Sequence, residues 1–91
     1  MNVSVTHDPS TQRFVAVVDG QESVIDYRLA DGTMTITHTR VPPSLRNRGI
    51  AGELTRFALE TAREHGWKVV PVCPYAASYL KKHSEYSDLL A

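Results

Sequence analysis

Arg46-x-x-Gly49-x-Ala51 lies where a β-looking run gives way to an amphipathic helical run. A strand that turns into a helix through small residues aims unpaired backbone N–H groups at one point, at the positive end of the helix dipole. Such a point binds phosphate, and the guanidinium groups of Arg46 and Arg48 would add charge-assisted bonds. The stretch from Val41 to Leu54 is therefore read as a pyrophosphate-binding loop. Two further side chains suit acyl or proton transfer. Cys73 becomes a nucleophile if a base or a helix N-terminus lowers its pKa from ~8.5, and a helix starting near Tyr75 would supply the latter. Its ordinary reading is a small buried hydrophobe. His38 is the side chain best suited to proton transfer near neutral pH, although a lone strand histidine is more often structural.

The elements that must position these residues follow from periodicity. Residues 12–18 alternate as a strand, with Phe14, Ala16 and Val18 on one side. Asp19-Gly20 and Asp31-Gly32 are positive-φ hairpin signals on either side of a second strand over residues 22–30. A third strand over 33–41 places Thr33, Thr35, Thr37 and Thr39 on one face and Met34, Ile36, His38 and Arg40 on the other. A short strand over 2–6 extends this antiparallel meander.

From Gly49 to His65 the period becomes helical. Ile50, Leu54, Phe57, Ala58, Thr61 and Ala62 form the apolar stripe, and Glu53, Arg56, Glu60, Arg63 and Glu64 form a solvated face. Gly66 terminates the helix, and Trp67 reads as a core plug. Lys68 to Val72 is short and nearly all apolar, as in a strand covered on both faces. A right-handed crossover sets it parallel to residues 33–41. Pro71 cannot donate to a ladder, which places the end of pairing, and a split between the two strands, there. Residues 75–83 form a last helix; the remaining tail carries no signal.

Composition narrows the classes. Ninety-one residues, 42% apolar and 22% charged, fit one small globular domain spanning 1–91. Ten basic residues balance ten acidic ones, so the chain has no overall attraction for nucleic acid or an anionic membrane. Arg40, Arg46 and Arg48 lie close together, which suits a local anion. A single cysteine excludes an internal disulfide and a cysteine-based metal site. Neither a signal peptide nor an apolar run long enough to span a membrane is visible, so a cytoplasmic protein is expected, without metal, as a monomer or weak homodimer.

Taken together, His38-Thr39, Val41-Pro42, Arg46-x-x-Gly49-Ile50-Ala51 and Cys73-Pro74-Tyr75-Ala76 resemble the GCN5-related N-acetyltransferase superfamily, in particular its short single-domain, YjdJ-type members. The resemblance covers residues 12–83. It implies an α+β fold: a mixed sheet, mainly antiparallel, with one splayed parallel pair and two helices. It also implies that the backbone of Arg46, Asn47, Arg48, Gly49, Ile50 and Ala51 cradles the pyrophosphate of acetyl-coenzyme A. Arg40 and Val41 would pair with the pantetheine arm. Tyr79-Leu80-Lys81-Lys82-His83 resembles the family's Tyr-x-Lys-x-Gly segment, which makes Tyr79 the candidate acid for the departing thiolate. Here His83 stands in place of the glycine. A second departure is Arg40, where relatives of this type often carry glutamate; the reversal repels an ammonium and favours a neutral or anionic acceptor. Alternatively, Arg40 reaches toward a coenzyme phosphate.

The expected function is acetyl transfer from acetyl-coenzyme A to a peptide, protein lysine or small amine. Such transfer needs a deprotonated amine, a stabilised oxyanion and a proton for the thiolate. The rival reading is a coenzyme A-binding module or interaction protein without turnover.

Overall fold

The computed structural model describes residues 3–91. Strands β1 (Val5–Asp8), β2 (Arg13–Val18), β3 (Gln21–Ala30) and β4 (Thr33–Arg40) are followed by helix α1 (Ile50–His65), strand β5 (Lys68–Pro71) and helix α2 (Pro74–Lys82). The five strands form one sheet in the order β1-β2-β3-β4-β5. All neighbours are antiparallel except β4 and β5, which run parallel across the α1 crossover. Both Asp-Gly dipeptides turn as expected, with Asp19 and Gly20 at φ 52° and 73° and Asp31 and Gly32 at 52° and 74°. These are the left-handed angles whose twist matches that of the flanking strands. The N-terminal strand lies later than residues 2–6: it begins at Val5 and continues to Asp8, and residue 2 lies outside the described residues.

One core joins Phe14, Ile25, Tyr27, Met34 and Ile36 of the sheet to Leu54, Ala58 and Leu59 of α1 and to Ala76 and Leu80 of α2. Helix α1 ends as Gly66 expects. Gly66 is left-handed at φ 70°, and the Trp67 N–H reaches back to the Ala62 carbonyl at 2.9 Å.

Three expectations are corrected, and a tail that carried no signal is seen to be structured. First, β4 does not alternate to its end. Tyr27 pairs with Ile36 but Asp26 pairs with His38, so Thr37 is an extra residue, a β-bulge. Directly paired residues share a face, and one inserted residue reverses every later side chain. Thr39, opposite Ile25, thus joins Met34 and Ile36 on the core face, while His38 and Arg40 turn to the other face with Asp26 and Val24. Second, β5 is not covered on both faces. Val69 is fully buried on one face, but Lys68 is exposed and Val70 only part-buried on the other, and Val72, just past the strand, is 61% exposed. The tail is ordered: Ser84–Leu89 coils as a 3₁₀ helix, Tyr86 and Leu89 are buried, and Leu90 bridges to Val69. Third, the polar side of α1 is accordingly not simply solvated. Glu60 accepts from the Tyr86 hydroxyl at 2.5 Å, and Arg63 grips both Asp88 carboxylate oxygens at 2.9 and 3.0 Å. Trp67 is only partly buried and lies flat against His65, with ring centroids 4.6 Å apart.

Candidate coenzyme cleft

The split expected at Pro71 has a definite origin. Paired register between β4 and β5 ends at Ile36 opposite Pro71, and the Ile36 carbonyl then accepts from both the Val72 and Cys73 N–H groups, at 3.1 and 3.0 Å. With its last acceptor used twice, β5 turns into α2 while β4 continues to Arg40. The edge of β4 from Thr37 onward is left without a strand partner on that side among the described residues.

Beside this open edge the chain makes a tight loop. A 3₁₀ turn at Pro43–Leu45 leads to Arg46 in extended geometry, Asn47 at φ 64° and Gly49 at φ 80°. Gly49 occupies the N-cap of α1, where a left-handed conformation costs a side-chain-bearing residue about 1–2 kcal/mol. No side chain among the described residues caps the helix, so the first-turn N–H groups of α1 have no partner there and keep their partial positive charge. The space where a Cβ of Gly49 would project is open to 4 Å.

Between these parts lies a cleft of about 350 Å³. Thr39, Arg40 and Val41 form one wall and Leu45, Arg46 and Asn47 the loop side. Ile50 and Ala51 bring the helix terminus, and Tyr75 closes the α2 side. Arg46 is folded back, its Nε donating to the Val41 carbonyl at 3.3 Å. Arg48 points elsewhere, pairing with Asp19 of the β2–β3 hairpin at 2.9 Å. Most expected binding residues thus meet at the cleft; the Arg48 side chain does not.

The candidate chemical residues divide. Cys73 begins α2 at the mouth of the split, 7% exposed, with its sulfur 3.4 Å from the Thr39 hydroxyl. Burial pushes the thiol up, but hydrogen bonding from Thr39 and from the Ala76 and Tyr75 N–H groups outweighs it. The net effect holds Cys73 below the ordinary thiol range. Tyr79 stands one turn beyond the cleft wall. Its ring stacks on His83 with centroids 3.8 Å apart, the residue found where the resemblance expects glycine. Burial raises both Tyr75 and Tyr79, so both phenols stay protonated. Gly52, in the first turn of α1, faces both rings, and even a Cβ there would make only ordinary contact. A Cβ there would lie 3.6 Å from the Tyr75 hydroxyl and 3.9 Å from the Tyr79 ring. His38 is not brought to Cys73 and Tyr79. It is exposed on the opposite face of the sheet, directly across from Asp26.

Sequence reasoning missed Tyr75 and Thr39 as site residues. The spacing of Tyr75 and Tyr79 carried a signal, since residues four apart share a helix face. Thr39 carried none, because the bulge that turns it inward has no residue signature.

A five-stranded sheet with a split parallel pair, and a cleft joining that split to an uncapped helix, is the architecture of the acetyltransferase fold that the resemblance implied. The profile of the GCN5-related N-acetyl-transferase family matches residues 13–89, and the chain belongs to that family. Protein NATD1 of Xenopus tropicalis is 29% identical over 85 residues, covering 90% of this chain and 78% of its own. The Homo sapiens protein of that name is 30% identical over 84 residues, covering 89% and 74%. Among solved structures, a GCN5-like protein of Staphylococcus aureus superposes with a TM-score of 0.76 at 27% identity, over 99% of this chain and 89% of that one. Nourseothricin acetyltransferase shares the fold alone, with a TM-score of 0.54 at 20% identity, over 92% of this chain and 66% of its own.

Proposed function

We propose that the protein transfers an acetyl group from acetyl-coenzyme A to an amine, binding the coenzyme in the cleft at the α1 N-terminus. The observation that carries this reading is the uncapped helix end, reached through left-handed Gly49, facing the unpaired edge of β4. The first supports a pyrophosphate at the N–H groups of residues 49–51; the second supports an extended, amide-bearing arm along Thr39, Arg40 and Val41. Leu45, Ile50 and Tyr75 add apolar wall, and Arg46 adds a cation for the phosphates.

Acetyl-coenzyme A when bound supplies an activated thioester: a nitrogen–carbon bond forms to the acetyl group, the carbon–sulfur bond breaks, and the amine's proton is balanced by protonation of the thiolate. Within that chemistry the chain's residues divide the work. Tyr75 in the cleft wall and Tyr79 one turn on are the protonated phenols available to the thiolate. Cys73 and Thr39 form the polar edge at the split, and the amine attacks directly without a cysteine-bound acyl group. His38, beside Asp26 on the far face, does not line the cleft and takes no part in the step there.

Calorimetric titration with acetyl-coenzyme A, coenzyme A and ADP in parallel, followed by a thiol-release assay with mixed amines, tests the reading. Micromolar binding of both coenzyme forms, much weaker binding of ADP and amine-dependent thiol release are expected. Binding without release on any amine would leave a coenzyme-binding module; no binding would refute the cleft assignment.

A further inference from the structure

The bulge at Thr37 has a consequence for the acceptor. It sends His38 and Arg40 to the face of the sheet away from α1, where two hollows adjoin. One, of about 250 Å³, lies among Asp26, His38, Thr39 and Arg40. The other, of about 300 Å³, continues over Arg13, Arg28 and Thr37. Asp26 and His38 line both, so the hollows form one groove crossing β4, β3 and β2. Thr39 and Arg40 also line the coenzyme cleft, so only the width of β4 separates groove from cleft.

The groove is electrostatically one-sided. Asp26, its one carboxylate, is held by the Arg13 Nε at 2.7 Å. Arg28 and Arg40 have no ion-pair partner among the described residues. Two further carboxylates belong to the same face but lie outside the lining: Glu22 next to the β2–β3 hairpin, and Asp8, engaged by Ser10 at the β1 edge. The lining therefore keeps two uncompensated guanidinium groups beside His38. Three strands at about 4.8 Å spacing give the groove roughly 10 Å of width, the length of about three extended residues.

Resting on the acetyltransferase reading, we propose that this groove receives the acceptor and selects an acidic peptide, its amine at Thr39 and its carboxylates over Arg40 and Arg28. A polyamine or basic peptide would meet like charge at both arginines.

The test uses three short peptides with free N-termini and a C-terminal fluorophore, carrying glutamates, glycine-serine or lysines after the first residue. Anisotropy titrations at low ionic strength, on protein saturated with coenzyme A, should show the acidic peptide binding at least about tenfold tighter than the basic one, with the gap narrowing as salt is raised. Arg28→Glu lies outside the coenzyme cleft. It should abolish the acidic preference while leaving coenzyme A affinity and the melting curve unchanged. Equal or tighter binding of the basic peptide, binding of none, or an acidic preference that survives Arg28→Glu would overturn the proposal. If coenzyme A itself does not bind, the acetyltransferase reading fails separately, and the same three titrations on the free protein still judge the charge selectivity of the groove.

Discussion

The Cys73 sulfur lies 3.4 Å from the Thr39 hydroxyl, across the gap that opens where β4 and β5 stop pairing. The two residues are 34 positions apart and come from different strand ends. They meet because one extra residue, Thr37, turns Thr39 toward the helices and because the doubly used Ile36 carbonyl ends β5 at Pro71, two residues before Cys73.

That contact makes the thiolate easier to form. Thr39→Val should raise the apparent pKa read from the pH dependence of Cys73 alkylation by iodoacetamide, since the hydroxyl bond that favours the charged form is removed while burial remains. An unmoved profile would show that the helix-end N–H groups act alone.

Gly49 holds φ 80° with open space beside it, so the demand on this position is conformational in the free protein. Gly49→Ala should destabilise the fold by about 1–2 kcal/mol through left-handed strain. It should also weaken coenzyme A binding measured by calorimetry well below the melting temperature, because relief of the strain moves the helix-end N–H groups. Unchanged affinity would separate the loop from the ligand.

The Tyr86 hydroxyl ties the tail to Glu60, and burial, followed by that bond, pushes the phenol from 10.0 up to about 12. A folded pKa above the unfolded one means that the contribution is complete below pH 10 and disappears as pH rises through about 12. Denaturant unfolding across this interval should show wild-type stability falling more steeply than that of Tyr86→Phe. Parallel curves would mean that the hydroxyl bond adds nothing to stability.

Ser23 faces the core opposite Ala16, and its hydroxyl is buried without a partner among the described residues. Ser23→Ala removes an unsatisfied polar atom and adds no bulk, so a gain of about 1 kcal/mol is expected. Thermal unfolding should report it as a rise of roughly 4–8 °C. A lower midpoint would show that packing around the oxygen outweighs its desolvation.

Much of the frame was legible in local residue pattern. Asp19-Gly20 and Asp31-Gly32 announce their hairpins because few dipeptides adopt two positive φ angles cheaply. The stripe from Ile50 to Ala62 and the stop at Gly66 announce α1, and Pro71 marks the strand split through a missing N–H. The candidate site was legible only where it is continuous in sequence, from Arg40 to Ala51. Arg48 was read as a cleft cation because its neighbours are cleft residues, yet Asp19, 29 positions earlier, holds it. The tail was silent because its partners, Glu60, Arg63 and Val69, lie on other elements.

By itself, the sequence determined the strand and helix order, the two tight hairpins, the helix-end loop and the family, all properties that short-range backbone preference and side-chain periodicity encode. Tertiary structure alone decided which way Thr39, His38 and Arg40 point, that Tyr75 rather than Tyr79 walls the cleft, and that one face of β5 is only partly covered. These depend on register between strands and on what packs against each face. A one-residue bulge reverses a strand's facing without altering its composition, so no reading along the chain could supply them.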